Sequence, residues 1–137
     1  GQSAEVPSST KVCLMLTSLS LFDPAVLAAW AKRARADDFV RQHSVLADVC
    51  VALRNTDTGE HIWLAVSEQD VQAGTGPREV PFWLEGDSAA FADLAQGFPF
   101  NRLVRQHRLV VGGDLRACVQ NWMLLYALTR LTGELEV

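Results

Sequence analysis

His43, His61 and His107, with Cys13, Cys50 and Cys118, are the side chains of this chain best suited to ligation, redox or acid–base chemistry. Their spacing argues against all three. None of the three histidines stands at metal-ligand spacing with another His, Cys or carboxylate, and no CxxC occurs. Ser44 follows His43 directly, but a nucleophile and its base must meet in space, which adjacency does not provide. The acid pairs Asp37–Asp38 and Glu134–Glu136 read as a helix-end face and a solvated tail. GxSxG, HExxH and P-loop patterns do not occur, and "GTG" at 74–76 precedes no helix and reads as a turn. The expectation is therefore no catalytic residue, no metal and no cofactor. Each histidine is read as a surface or interfacial imidazole, and each cysteine as a buried, inert thiol in a reducing, cytoplasmic setting.

The surface chemistry narrows the partners. The chain has 137 residues, a net charge of −4 and 49% apolar residues. That suits a globular domain with its own core and argues against a nucleic-acid partner. The one basic cluster, "AKRARADD", is followed at once by two acids and reads as a solvated helix face. Residues 1–10, "GQSAEVPSST", read as a flexible start, and 11–137 as a single domain. The run "VCLMLTSLSLF", 12–22, is too short to span a membrane and reads as a buried, helical element of that domain.

What remains is apolar surface. Trp30, Trp63, Trp83 and Trp122 are spread along the chain. The last helix, read as 115–131, carries one stripe of Leu115, Cys118, Val119, Trp122 and Tyr126. A second stripe holds Met123, Leu124, Ala127, Leu128 and Leu131. One stripe can bury against a sheet. The other must meet a helix, a partner subunit or a bound apolar ligand.

The elements that would position these residues follow from caps and periodicity. Asp23 and Pro24 open a helix that fades near Asp37–Asp38, with a short turn running toward His43. Period-two alternation in "ADVCVALRN" and "HIWLAVS", joined by "NTDTGE", predicts an antiparallel hairpin. A third strand falls near Asp70–Ala73. A fourth, "EVPFWLE", contains Pro81 and should lie at an edge or carry a break. Asp87 caps and Gly97 ends a short helix with Ala90, Phe91 and Leu94 inward. A partly helical segment leads into a fifth strand, "RLVVGG". Asp114 caps the last helix and Gly133 ends it. The predicted class is α+β, a five-stranded, mainly antiparallel sheet with helices packed on one face.

The stretch "FWLEGDSAAFADLAQGFPFNRLVRQHRLVVGGDLRACVQNWMLLYAL" resembles the type-two sterol carrier protein family. Phe91 matches the buried Phe of the family's short helix and Gly97 the Gly after it. "RLVV" matches its alternating strand, and Gly113 with Asp114 the start of its last helix. The hairpin and "SEQDVQAGTGP" fit its meander, so the resemblance spans residues 23–132. It departs where the family often has an aromatic pair and a Gly, here Val104, Arg105 and His107. Trp122 stands where the family often has a polar group, and the tail "GELEV" is no peroxisomal address.

The resemblance implies a five-stranded sheet with helices across one face and a tunnel for lipids between them. The expected function is non-catalytic binding or transfer of a lipid or other apolar ligand by Phe82, Leu84, Phe91, Leu109, Val111, Trp122 and Tyr126. Arg105 and His107 would form a polar mouth. Two alternatives stand beside it. One is a small enzyme or enzyme-accessory domain using the same cavity for a lipid, quinone or polyketide-like substrate. The other is an interaction module. The expected partners are an apolar small molecule, a transient membrane contact, and a homodimer or partner chain through the last helix.

Overall fold

The computed structural model describes residues 20–68 and 70–135. The expectations for residues 1–10, for Cys13 and for most of the 12–22 run lie outside the described residues. Of that run, Leu21 and Phe22 are buried, and Phe22 meets Phe91 edge-on at 5.0 Å between ring centroids.

Aspartates set the helix starts. Asp23, Asp37, Asp87 and Asp114 each accept a backbone N–H one to two residues into the helix they precede. They open α1 (Pro24–Arg35), α2 (Asp38–Ser44), α3 (Ser88–Ala95) and, after α4 (Phe100–Arg105), α5 (Leu115–Gln120). Three of these caps were expected. Asp37 is the exception. The sequence suggested a turn between Asp38 and His43, but the Asp37 carboxylate accepts the Val40 N–H at 2.9 Å and starts a second helix.

The strands are β1 (Asp48–Asn55), β2 (His61–Ser67), β3 (Asp70–Thr75), β4 (Phe82–Gly86) and β5 (Leu109–Gly113). They form one sheet in the order β3-β2-β1-β4-β5. The β1–β2 hairpin forms as expected, with Val51 opposite Leu64 and Leu53 opposite Ile62. The sheet is mostly antiparallel, but β1 and β4 run parallel. Of the two outcomes expected for the fourth strand, an edge position or a break at Pro81, the edge position is not observed and the break is. β4 starts after Pro81 and sits between β1 and β5. Leaving Pro81 outside the ladder removes the conflict, because its missing N–H then interrupts no pairing. Its carbonyl accepts the Asp114 N–H at 2.9 Å, which ties β4 to the start of α5.

Register divides the sheet into two faces. Val51, Leu53, Ile62, Leu64, Val66, Val71, Phe82, Leu84 and Leu109 are buried on one face and form the core with the helices. On the other face one row crosses all five strands: Gly74, Trp63, Ala52, Trp83 and Gly112. A Cβ at Gly74 would overlap the indole of Trp63, and one at Gly112 the indole of Trp83. The two rings therefore lie down across the neighbouring strand where a side chain would otherwise stand. Arg78 covers Trp63 at 4.0 Å and Arg54 covers Trp83 at 3.9 Å, while Trp83 Nε1 donates to Glu85 at 2.7 Å.

The single helix expected over 115–131 is instead three pieces: α5, α6 (Trp122–Thr129) and a 3-10 turn (Arg130–Glu134). Asn121 makes the break. Its side-chain amide donates to the Ala117 carbonyl at 2.8 Å, and its backbone N–H is shared between Ala117 and Cys118. Trp122 accordingly begins α6 rather than lying mid-helix. α6 is tied to α1 by the buried Trp30 indole, whose N–H donates to the Leu128 carbonyl at 2.9 Å.

Candidate functional site

The apolar face of β4 and β5, with the helices that cross it, gathers most of the residues expected to hold a ligand. Pairing sets Leu84 opposite Val111, Phe82 opposite Gly113 and Gly86 opposite Leu109, so Phe82, Leu84, Leu109 and Val111 share one face. Phe82, Leu84 and Leu109 are buried, and Val111 is half-buried against the core. Phe91 reaches the core from α3, on the far side from solvent.

Trp122 is half-buried and packs on Phe100 of α4, with ring centroids 4.7 Å apart. Tyr126 is more open and lies 6.2 Å from Phe39 of α2. The structure thus brings the sheet residues together and sets Trp122 and Tyr126 at the border of the same core. Arg105 and His107 are exposed at the end of α4 and in the turn to β5, where His107 adopts φ 60°.

The two stripes read from the last helix are redistributed. Of the first, Cys118 is buried, but Leu115 is 60%, Val119 69% and Tyr126 38% exposed. Of the second, Met123 is 49% exposed while Leu124, Ala127, Leu128 and Leu131 are buried, joined by Leu125. Across the break at Asn121 the exposed residues keep three- and four-residue spacing, and the buried ones share the opposite side. The outcome is an outward apolar strip, Leu115, Val119, Met123 and Tyr126, running the length of both helices.

α5 lies across β4 and β5, and of its six residues Cys118 alone is buried. Its neighbours are anchored differently. α6 buries Leu124, Leu125, Ala127, Leu128 and Thr129. Over the β4–β5 end of the apolar face, beside α3 and α4, α5 is pinned by two small side chains, buried Cys118 and half-buried Ala117, and by the Asp114 cap.

A groove of about 400 Å3 lies between α1 and the 3-10 turn and is lined by Ala29, Lys32, Arg33, Ala36, Glu134 and Leu135. None of the seven apolar site residues lines it. Beside it sits a charged network. Asp37 accepts from Arg130 and faces Arg33 at 3.6 Å, and Arg33 also pairs with Glu134 at 3.2 Å. Burial alone would raise the Asp37 pKa. The Val40 N–H, Arg130 and Arg33 together overcome that and hold the carboxyl below its ordinary range.

Burial pushes the thiols of Cys50 and Cys118 up, so neither is an activated nucleophile. Among the described residues no group of three or more His, Cys, Asp or Glu could hold a metal ion. No helix of the described residues is long and apolar enough to cross a membrane.

By sequence, the chain matches no protein-family profile and no curated protein. By structure, it is similar to a crystal structure of sterol carrier protein 2, with a TM-score of 0.73 over 85% of this chain and 99% of that one, at 17% identity. A ubiquinone synthesis protein, UbiJ-SCP2, matches with a TM-score of 0.56 over 81% of this chain and 98% of that chain, at 19% identity. Palmitated SCP2L2 from Aedes aegypti matches with a TM-score of 0.54 over 77% and 95%, at 14% identity. The chain has the fold of these sterol-carrier-protein-2-like domains, which bears out both the resemblance read from its sequence and the α+β class.

Proposed function

We propose that this sterol-carrier-like domain, residues 11–137, binds a lipid or other long apolar molecule between its sheet and the α5–α6 pair. One observation carries the reading most directly. The apolar face of β4 and β5 is covered by α3, α4 and α5, and of these α5 is held only by two small side chains, buried Cys118 and half-buried Ala117. Displacing so lightly anchored a helix costs little, whereas opening the sheet at α1 or α6 would expose many buried groups. With α5 lifted, Phe82, Leu84 and Val111 would contact the ligand's hydrocarbon part. Each CH2 transferred from water contributes about 0.8 kcal/mol, enough to offset the lost contacts of α5 within a few carbons. Trp122 on Phe100 would bound the far end, and Phe91 and Leu109 would complete the wall, with Tyr126 at its outer rim. Arg105 and His107, exposed beside β5, would meet a polar or anionic head.

The fold shared with palmitated SCP2L2 supports a fatty-acyl class of ligand. The fold shared with a ubiquinone synthesis protein supports, as a second reading, an accessory role that presents an apolar substrate to an enzyme. Both readings place the ligand in the same space, with no covalent step on this chain, in a reducing, cytoplasmic setting. Solvent extraction of the purified protein followed by mass spectrometry tests the proposal. An acyl, sterol or prenyl species recovered in fixed ratio to protein is expected. A protein that purifies empty, and stays empty after incubation with a lipid extract, would remove it.

A further inference from the structure

The sheet ends in β3 on one side and in β5 on the other, and the two edges differ. β3 is guarded. α1 packs along it, Arg35 donates to its Val71 carbonyl at 2.6 Å, and the strand carries Asp70. β5, "LVVGG", has no charge and no proline, and Val110 is 55% exposed on the outer face. An edge without such guards is a template for another strand.

The direction of the peptide groups in β5 follows from its neighbours. The Gly86 carbonyl accepts the Thr56 N–H at 2.8 Å, so Gly86, Leu84 and Phe82 turn their peptide groups to β1. Trp83 and Glu85 turn theirs to β5, where they pair with Gly112 and Val110. The Val111 N–H and carbonyl therefore point off the sheet, with no backbone partner among the described residues. We infer that β5 pairs antiparallel with β5 of a second copy about a two-fold axis at Val111, joining the two sheets edge to edge.

That register is self-complementary. Each Val111 exchanges both backbone hydrogen bonds with its counterpart. Val110 stands opposite Gly112 of the other copy, across which the Trp83 indole already lies, so the exposed valine is covered by the edge of that ring. Arg108 of each copy stands opposite Asp114 of the other. The Arg108 side chain is 34% exposed beside Asp93, and Asp114 caps α5 through Oδ1, which leaves Oδ2 for the arginine. A cation–acid pair thus flanks the contact at each end and favours a second copy as the occupant. Residues 12–19 of the chain carry no charge and would answer neither group.

Sedimentation velocity of the full chain over a concentration series tests the pairing. A monomer–dimer equilibrium is expected. Val110→Lys should raise its dissociation constant about tenfold and keep the parent's circular dichroism spectrum. Val111→Cys should form a disulfide-linked dimer under mild oxidation, because the Cα atoms of such a pair lie about 5.5 Å apart. Val110→Cys, which faces Gly112 and not its own counterpart, should add no crosslink to that of the parent. Neither readout depends on bound lipid. A monomer at every concentration would overturn the inference, whether the edge stays free or residues 12–19 take it. So would a dimer that Val110→Lys leaves as tight as the parent's, or one in which Val111→Cys forms no crosslink beyond the parent's.

Discussion

Asp37 shows how much one residue can join. It is 8% exposed, caps α2 through Val40, and faces Arg33 of α1 and Arg130 of the 3-10 turn. Its folded-state pKa is lowered, so its contribution is present above the ordinary carboxylate range and is lost as pH falls through the lowered value. The parent should therefore lose stability on acidification below about pH 4 more steeply than Asp37→Asn. The variant, in turn, should be less stable at neutral pH by about 1–3 kcal/mol, since it leaves Arg130 without its partner. Melting curves across that pH range check both signs. Parallel curves for the two proteins would contradict the pairing. The outer face offers a second single-residue test. Gly112 gives up its side-chain space to the Trp83 indole. Gly112→Ala should displace that ring from under Arg54 and cost about 1–3 kcal/mol. A stability change within a few tenths of a kcal/mol would show that the indole moves freely.

Elements differ in how firmly they are held, and α5 is the looser of the last two helices. Its amides should exchange with solvent far faster than those of α6, and Cys118 beneath it should react with an alkylating agent by local opening. The labelling rate should stay flat at low denaturant, where global unfolding does not yet contribute. A rate that tracks global unfolding from the start would make α5 an integral part of the core. The sequence made some elements plain and hid others for physical reasons. The β1–β2 hairpin was legible because strict alternation and a turn rich in Asp and Gly agree. Caps at Asp23, Asp87 and Asp114 were legible because each precedes a clear apolar period. Asp37 was not, since the two acids at 37–38 read equally well as a helix end. The break at Asn121 was hidden because "QNWMLLYAL" is helical in propensity throughout. Only the hydrogen bond of the Asn121 side chain to Ala117 marks it. Pro81 suggested an edge strand or a break, and it is the break that occurs, with β4 beginning one residue later.

At the scale of the whole molecule, two opposite surfaces of the sheet solve the same problem differently. The outer face is closed by its own side chains, with indoles lying over glycines and arginines lying over indoles. The inner face needs helices, and at β4 and β5 one of them, α5, buries a single residue completely. A fold shared with sterol carrier protein 2, a lightly buried helix beside an apolar face, and the apolar side chains gathered on that face are what the proposed lipid-binding role rests on. Period-two spacing put Phe82 and Leu84 on one face in the sequence, and only the register of β4 with β5 sets Leu109 and Val111 beside them. The sequence could not foresee that α5 would be part of the cover, because that depends on the break in the last helix. The most direct measurement is a titration of the lipid-free protein with an environment-sensitive fluorescent fatty acid, followed by displacement with unlabelled long-chain lipids. The account predicts saturable binding at one site, complete displacement, and faster displacement by longer chains up to a limit set by Trp122. Fluorescence that rises without saturation, or that no acyl, sterol or prenyl lipid displaces, would contradict it.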